Sequence, residues 1–376
     1  MALRDRQKTV QPFGSPEPLE VLIVDDSALV RQKLKSIIES DPSFQVVLAA
    51  DPYEAVAVIA KSVPGVILLD VEMPRMDGLT FLRKLMQQHP LPVVLCTSQA
   101  ERAVTALEMG AIEVIAKPDW NNAGRMSEWS QNLLESIRSA ARAGRLNFRD
   151  DRPATATDPK HSADVILPKV PYSPRAGPSE RVIVVGVSTG GVQALPQLLA
   201  GFPSSTPGIV IVQHMPADFL PAFANRLHSD SRIDMEVAEA RQHEPVRPGR
   251  ALLIPGDHHG LLRRSGTGFR VELVEGPPVC RHRPSVEVLF RSAAQAAGPF
   301  GAGVIMTGMQ DDGAGGLLEM RESGSLTIAQ NEATCMVFGM PREAIRRGAA
   351  KLVTPLGSIA STLLAWVASA DPGSWH

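Results

Sequence analysis

Cysteine is scarce in this chain of 376 residues, with three thiols at Cys96, Cys280 and Cys335. They are scattered and show no metal-ligand spacing, which argues against a disulfide scaffold or a zinc module and fits reduced, buried thiols. Aromatic residues make up only 5% of the sequence. No apolar run is long enough to cross a bilayer, and the polar start, Met1 to Pro18, lacks a signal-peptide core. A cytoplasmic protein without direct membrane insertion is expected. Excess charge is also missing: the net charge of −2 offers no basic stripe for nucleic acid or an anionic membrane.

Apolar residues are plentiful, at 44%, and the length suits two domains. From Glu20, short apolar runs alternate with helical periodicity. Strands are expected at Val21–Val24, Phe44–Leu48, Val66–Leu69, Val93–Cys96 and Glu113–Ile115, and a last helix at Ser127–Ala143. Asp51-Pro52 reads as a cap and first-turn proline opening the second helix. Such strands, apolar on both faces, imply a doubly wound parallel sheet of α/β class. A stretch rich in Pro, Ala, Asp, Ser and Thr, Asn147–Ser179, then breaks the pattern and reads as a flexible linker. Its one apolar patch, Val165-Ile166-Leu167, is suited to docking on a domain surface.

The alternation resumes at Arg181. Strands are expected at Val182–Val187, Ile209–Val212, Ala251–Ile254, Val304–Met306 and Leu326–Ala329. Helices are expected at Val192–Ala200, Phe219–Leu227, Val286–Ala296, Ala314–Glu322, Pro341–Arg347 and Ile359–Val367. Met235–Ala238 and Arg270–Val274 are expected to form a small antiparallel hairpin region. The resulting division is a tail over 1–18, a first domain over 19–145, a linker over 146–179 and a second domain over 180–370.

Two chemical constellations sit on this frame. In the first, Asp25, Asp26 and Asp70 each follow a strand, where open parallel sheets build their sites. Singly, each is an ordinary acidic turn. Gathered, three carboxylates repel one another and invite Mg²⁺, a hard cation that keeps room for water and phosphate oxygens. Thr97 offers a hydroxyl and Lys117 a positive charge for phosphoryl transfer onto a carboxylate. In the second, Gly186-Val187-Ser188-Thr189-Gly190 fits a nucleophile elbow, although such a loop can equally cradle phosphate or cap a helix. His214 and Asp312 also follow strands, so Ser188, His214 and Asp312 are candidates for nucleophile, base and orienting acid. Their order, serine then histidine then acid, departs from the α/β-hydrolase order. His258, His259 and His282 are rival histidines. His282, between Arg281 and Arg283, suits a substrate-binding edge or a structural role equally.

The stretch Asp70-Val71-Glu72-Met73-Pro74-Arg75-Met76-Asp77-Gly78 resembles the phosphoacceptor loop of response-regulator receiver domains. The resemblance implies that a phosphohistidine kinase of the chemotaxis type phosphorylates Asp70. It implies that Mg²⁺ is held by Asp25, Asp26, Asp70 and the backbone carbonyl of Glu72, and that Thr97 and Lys117 sense the phosphoryl group. Val114 stands where receivers often carry an aromatic switch residue. The second half, through Gly-Val-Ser-Thr-Gly-Gly, Gln-His-Met-Pro, Arg-His-Arg-Pro-Ser-Val, Thr-Gly-Met-Gln-Asp-Asp-Gly-Ala and Cys-Met-Val-Phe-Gly-Met-Pro, resembles the protein-glutamate methylesterases of the CheB family. That resemblance carries the triad onto Ser188, His214 and Asp312, with the Met309 N–H as an oxyanion donor and Thr189 assisting. It implies a Rossmann-like catalytic domain without a cofactor, glutamyl methyl esters of methyl-accepting chemoreceptors as substrate, deamidation as a second activity, activation by phosphorylation, and a monomer. Two positions depart from the pattern: Gln310 replaces a usual glycine, and Pro196 falls inside the helix after the elbow. The rival functions are a non-enzymatic response regulator whose C-terminal domain binds a signalling partner, and an enzyme of another class that uses the Ser188–Gly191 loop as a phosphate cradle.

Overall fold

In the computed structural model, residues 18–118, 120, 123–144, 161–172 and 180–370 are described. The tail and most of the linker read from the sequence lie outside them.

The first half comprises β1 (Leu19–Val24), α1 (Ala28–Ile38), β2 (Phe44–Ala49), α2 (Pro52–Ile59), β3 (Val66–Leu69), α3 (Gly78–Gln88), β4 (Val93–Thr97), α4 (Ala100–Glu108), β5 (Glu113–Ala116) and α5 (Ala123–Ala143). Its strands pair in parallel in the order β2-β1-β3-β4-β5. Strands β1, β3 and β4 are apolar along most of their length because helices cover both faces. Asp51 caps α2 as its sequence suggests, accepting from the N–H groups of Tyr53 and Glu54 at 2.8 and 2.9 Å.

The second half comprises β6 (Val182–Val187), α6 (Gly191–Leu199), β7 (Ile209–Gln213), α7 (Leu220–His228), β8 (Glu236–Glu239), β9 (Pro245–Val246), β10 (Arg250–Leu253), β11 (His259–Ser265), β12 (Gly268–Val274), α8 (Val286–Ala297), β13 (Gly301–Ile305), α9 (Ala314–Glu322), β14 (Leu326–Gln330), α10 (Met340–Arg346), β15 (Leu352–Thr354) and α11 (Leu356–Ala368). Seven strands form a parallel sheet ordered β15-β14-β13-β6-β7-β10-β8. Both halves are therefore doubly wound α/β units. The expected hairpin of Met235–Ala238 with Arg270–Val274 does not form. Glu236–Glu239 instead runs parallel to β10 at the sheet edge, and β12 pairs antiparallel with β11 and β9. Short apolar runs of this kind mark a strand without naming its partner.

In each sheet the strand order reverses at a crevice where a constellation lies, and in the second sheet it reverses again at the β10-β8 edge. In the first sheet the crevice falls between β1 and β3, which end in Asp25 and Asp70. In the second it falls between β6 and β13. The register aligns Gly186 with Val212 on one side and with Ile305 on the other, so the loops after β6, β7 and β13 start at one level.

The halves pack together. One apolar cluster runs from Leu69, Leu107 and Val114 of the first half to Val187, Leu195 and Phe219 of the second. Arg226 pairs with Glu108 at 2.7 Å, and Gln193 Nε2 donates to the Leu107 carbonyl at 2.6 Å. Residues 161–172 lie on the second half, where Leu167 is buried with Leu261, Val279 and Val288 and Ile166 packs beside them. Arg291 binds Asp164 at 2.7 Å and the Leu167 carbonyl at 3.1 Å.

Gly186 allows α8 to approach β6: a Cβ there would lie 2.1 Å from Val286 Cγ1. Gly186→Ala should therefore destabilise the protein by about 1–3 kcal/mol, through overpacking. Urea unfolding followed by circular dichroism measures this as a lower midpoint.

Candidate active site

Strand β6 delivers Ser188 into a turn completed by Gly190, whose φ of +87° suits glycine. Three bonds tie this turn to its neighbours. Ser188 N–H donates to the Thr307 carbonyl at 3.0 Å, and His214 N–H to the Val187 carbonyl at 3.0 Å. Gln213 Nε2 donates to the carbonyls of Ser188 and His214, at 3.1 and 2.9 Å. A Cβ on Gly191 would lie 1.9 Å from Gln213 Oε1, so the helix start must be bare for Gln213 to lie there.

Asp312, fully buried, receives four hydrogen bonds. His214 Nε2 lies 2.9 Å from Oδ2, Ser285 Oγ donates to Oδ1 at 2.8 Å, and the N–H groups of Val286 and Glu287 donate at 2.8 and 3.0 Å. The last two open α8, so the carboxylate sits on a helix N-terminus, where backbone dipoles favour negative charge. Burial alone would raise its pKa. The bond and charge of His214, with the bond from Ser285, instead hold it below the usual carboxylate value.

His214 and Asp312 thus meet side chain to side chain, and Ser188 stands on the loop whose Val187 carbonyl receives the His214 N–H. The His214 Nδ1 atom is buried and has no hydrogen-bond partner among the described residues. Ser188, only 8% exposed, makes no side-chain hydrogen bond among them either. Gly308 packs against it, since a Cβ there would meet Ser188 Cβ at 2.8 Å. The N–H of Met309 has no partner among the described residues. Gln310, at the position where the resembling sequences usually have glycine, adopts φ +66°. Pro196 lies inside α6, which continues past it as Ala200 N–H bonds the Pro196 carbonyl at 3.0 Å.

The rival histidines separate cleanly. His258 bonds its neighbour Asp257 at 2.6 Å. His259 is fully buried: its Nε2 meets the Pro277 carbonyl at 3.0 Å and its Nδ1 accepts from Ser285 N–H at 3.2 Å. It supports the serine that supports Asp312, a role its Pro-Gly-Asp-His-His-Gly setting does not reveal. His282 stacks on His214 with ring centroids 3.8 Å apart and planes 3° from parallel. Burial, with the adjacent His214, pushes its pKa down to about 3, so it stays neutral. His214, His282 and Asp312 offer close donor atoms. Cofacial rings aim their lone pairs side by side, however, and Asp312 is already engaged, so the set is ill suited to a metal.

The first constellation is assembled as well. Lys117 Nζ meets Asp70 Oδ2 at 2.7 Å and Asp25 Oδ2 at 3.1 Å. Burial raises the Asp70 pKa despite the Lys117 contact. Lys117 is itself raised, because its two carboxylates outweigh its burial. Asp25, Asp26 and Asp70 present oxygens within 4.8 Å of one another, with Asp26 open to solvent. This all-oxygen set, facing water on one side, fits Mg²⁺. Thr97 is fully buried, its Oγ1 accepting from Gln99 N–H at 3.2 Å. The Glu72 side chain contacts Gln99, and its backbone N–H acts on Asp70. Val114 is buried in the shared core.

Three residues of the first half that sequence reasoning missed, Glu113, Ser139 and Glu135, also reach the loops of the second constellation, with Ser136 supporting Glu113. Glu113 accepts from Thr189 Oγ1 at 3.1 Å and from Ser136 Oγ at 2.9 Å. Ser139 Oγ donates to Thr189 Oγ1 at 3.0 Å, and Gln310 Nε2 donates to Glu135 at 2.8 Å. The available signal was a carboxylate opening an otherwise apolar strand and serines on a buried helix face.

Comparison with known proteins gives two family matches: CheB methylesterase over residues 183–363, and response regulator receiver domain over 21–123. Among curated relatives, the protein-glutamate methylesterase/protein-glutamine glutaminase 5 of Anaeromyxobacter dehalogenans is 54% identical over 94% of this chain and 98% of its own length. Its counterpart numbered 3 in Geobacter metallireducens is 52% identical over 92% and 98%. The solved Thermotoga maritima CheB methylesterase catalytic domain is 35% identical, covers 50% of this chain and 98% of its own, and has a TM-score of 0.48.

Ser285 holds Asp312 through a buried hydroxyl. Ser285→Ala should cost about 1–3 kcal/mol of stability, since it leaves a carboxylate oxygen short of a donor in a site closed to water. A urea midpoint unchanged from wild type would contradict this.

Proposed function

This chain belongs to the CheB methylesterase family, and we propose that it hydrolyses γ-glutamyl methyl esters on chemoreceptor signalling helices, and deamidates glutamines there, through Ser188, His214 and Asp312. One observation carries the reading: His214 gives Nε2 to an anionic, saturated Asp312, leaves Nδ1 unused, and is tied to the Ser188 loop by its own N–H on the Val187 carbonyl.

In this reaction Ser188 Oγ attacks the ester carbonyl carbon while its proton passes to Nδ1 of His214. The carbonyl π electrons move to oxygen, and the Met309 N–H donates to the oxyanion. Collapse expels methanol, which takes the proton back from His214, or ammonia when the substrate is an amide. Water, deprotonated by His214, then cleaves the acyl-enzyme and restores Ser188. Asp312 keeps the imidazole in one orientation and stabilises its charged form. The neutral His282 ring, stacked on His214, adds no competing charge. Catalytic serine and base hydrogen bonds are often long without substrate, which is compatible with the unbonded Ser188 hydroxyl.

The first half is the switch. Asp70 accepts a phosphoryl group from a chemotaxis-type histidine kinase, and Asp25, Asp26, Asp70 and the Glu72 carbonyl would hold Mg²⁺, which would supply positive charge against the crowded carboxylates and phosphoryl oxygens. Lys117 and Thr97 then engage the new group. Without phosphate, the first half covers the Ser188 loop through Glu113, Ser139 and Glu135, and phosphorylation weakens that cover. The protein acts in the cytoplasm, where these helices lie.

Ser188→Ala should lower methanol release from methylated receptor by roughly 10⁴ or more. Near-normal turnover in that variant would remove the triad. Asp70→Asn should abolish activation by a small acyl phosphate, a gain expected at about 5–150-fold for a coupling of about 1–3 kcal/mol. An equal gain in Asp70→Asn would separate activation from Asp70.

A further inference from the structure

Thr189 follows the proposed nucleophile, and its one hydroxyl proton is already engaged. It points to Glu113 Oε2 at 3.1 Å, while the lone pairs of the same oxygen receive Ser139 Oγ at 3.0 Å. The Thr189 carbonyl accepts from Thr307 Oγ1 at 2.8 Å, which fixes the residue between β6 and β13. What Thr189 holds is therefore a glutamic side chain, the same γ-carboxyl that the proposed reaction produces. Burial pushes that carboxyl above its usual range, against the bonds from Ser136 and Thr189 and the charge of His214. Its planar γ-carboxyl has the shape of a γ-amide and approximates that of a γ-ester. Helix α5 forms the wall behind it: Ser136 and Ser139 are 5% and 2% exposed, and Glu135 takes the side chain of Gln310.

We propose that Glu113 is a resident imitation of the substrate: its γ-carboxyl occupies the subsite in which the Thr189 hydroxyl receives the glutamyl side chain of the receptor, and the receiver closes the enzyme by competing for that hydroxyl. The proposal rests on the esterase reading above and adds to it the substrate-binding role of Thr189 and the chemistry of the closure. Thr189 has a single proton to donate, so Glu113 and substrate exclude each other. Gln310 serves the same closure. A non-glycine residue at φ +66° is strained, and in the closed form its amide bridges Arg281 and Glu135, at 3.3 and 2.8 Å.

Competition has a kinetic signature. When substrate binds only the open form, closure multiplies KM by one plus the closed-to-open ratio and leaves kcat unchanged. The test is steady-state methanol release by the full chain from a methylated receptor cytoplasmic fragment, with and without an acyl phosphate. Phosphorylation should lower KM at constant kcat. Glu113→Ala should lower the KM of the unphosphorylated protein at least about 5-fold, toward the activated value. Glu113→Gln should keep the wild-type KM, because the amide preserves the shape and the Thr189 contact, whereas a contact that depended on charge would be lost. Thr189→Val should raise the KM of the phosphorylated protein and bring the two states together, which a merely structural contact would not do. An unchanged KM in Glu113→Ala, or in phosphorylated Thr189→Val, would overturn the proposal while ester cleavage stands. No ester cleavage by the phosphorylated wild type would remove the esterase reading and this one with it.

Discussion

The site depends on where the Asp312 charge is placed. A carboxylate fully removed from water is costly unless donors replace its hydration. Here the N-terminus of α8, the Ser285 hydroxyl and the His214 ring supply them. Because the helix delivers two of these donors through its backbone, the position of Asp312 is coupled to the packing of α8 on β6. The bare Cα of Gly186 permits that packing. The orientation of His214 follows from Asp312, and with it the direction in which Nδ1 is left available.

A second carboxyl, Glu113, is treated in the opposite way. It receives hydrogen bonds from the Ser136 and Thr189 hydroxyls, and burial raises its pKa where that of Asp312 is lowered. The difference suits the two settings. In the proposed reaction Asp312 has to remain charged to steady an imidazolium. Under the proposed regulation Glu113 lies at a contact between halves that is left and reformed. Nearby, Arg226 with Glu108 and Gln193 with the end of α4 bind the same surfaces, so such a release would involve the α4–β5–α5 face as a unit.

Much of this was legible in residue order. Continuous apolar runs located the strands of the first sheet and five of the seven in the second to within a few residues, because strands buried on two faces must be apolar throughout, whereas the short edge strand β15 gave no such run. The candidate residues were legible too, since polar groups directly after such strands have few structural uses. The partner of Met235–Ala238 was not, because parallel pairing with β10 is set by what lies beside it in space. The place of His282 was equally hidden: its neighbours in sequence are arginines, whereas its neighbour in space is the His214 ring.

The sequence alone determined the two α/β units, the acidic residues around Asp70, and the candidacy of Ser188, His214 and Asp312, since each follows from local pattern and from chemistry carried by a few residues. Tertiary structure alone decided which imidazole nitrogen meets Asp312, that His259 supports Ser285, and that Glu113 of one half lies against Thr189 of the other. Those relations join residues about 25 to about 100 positions apart, through hydrogen bonds only a few ångströms long. Packing of helices and sheets brings such atoms together, and no local periodicity encodes it.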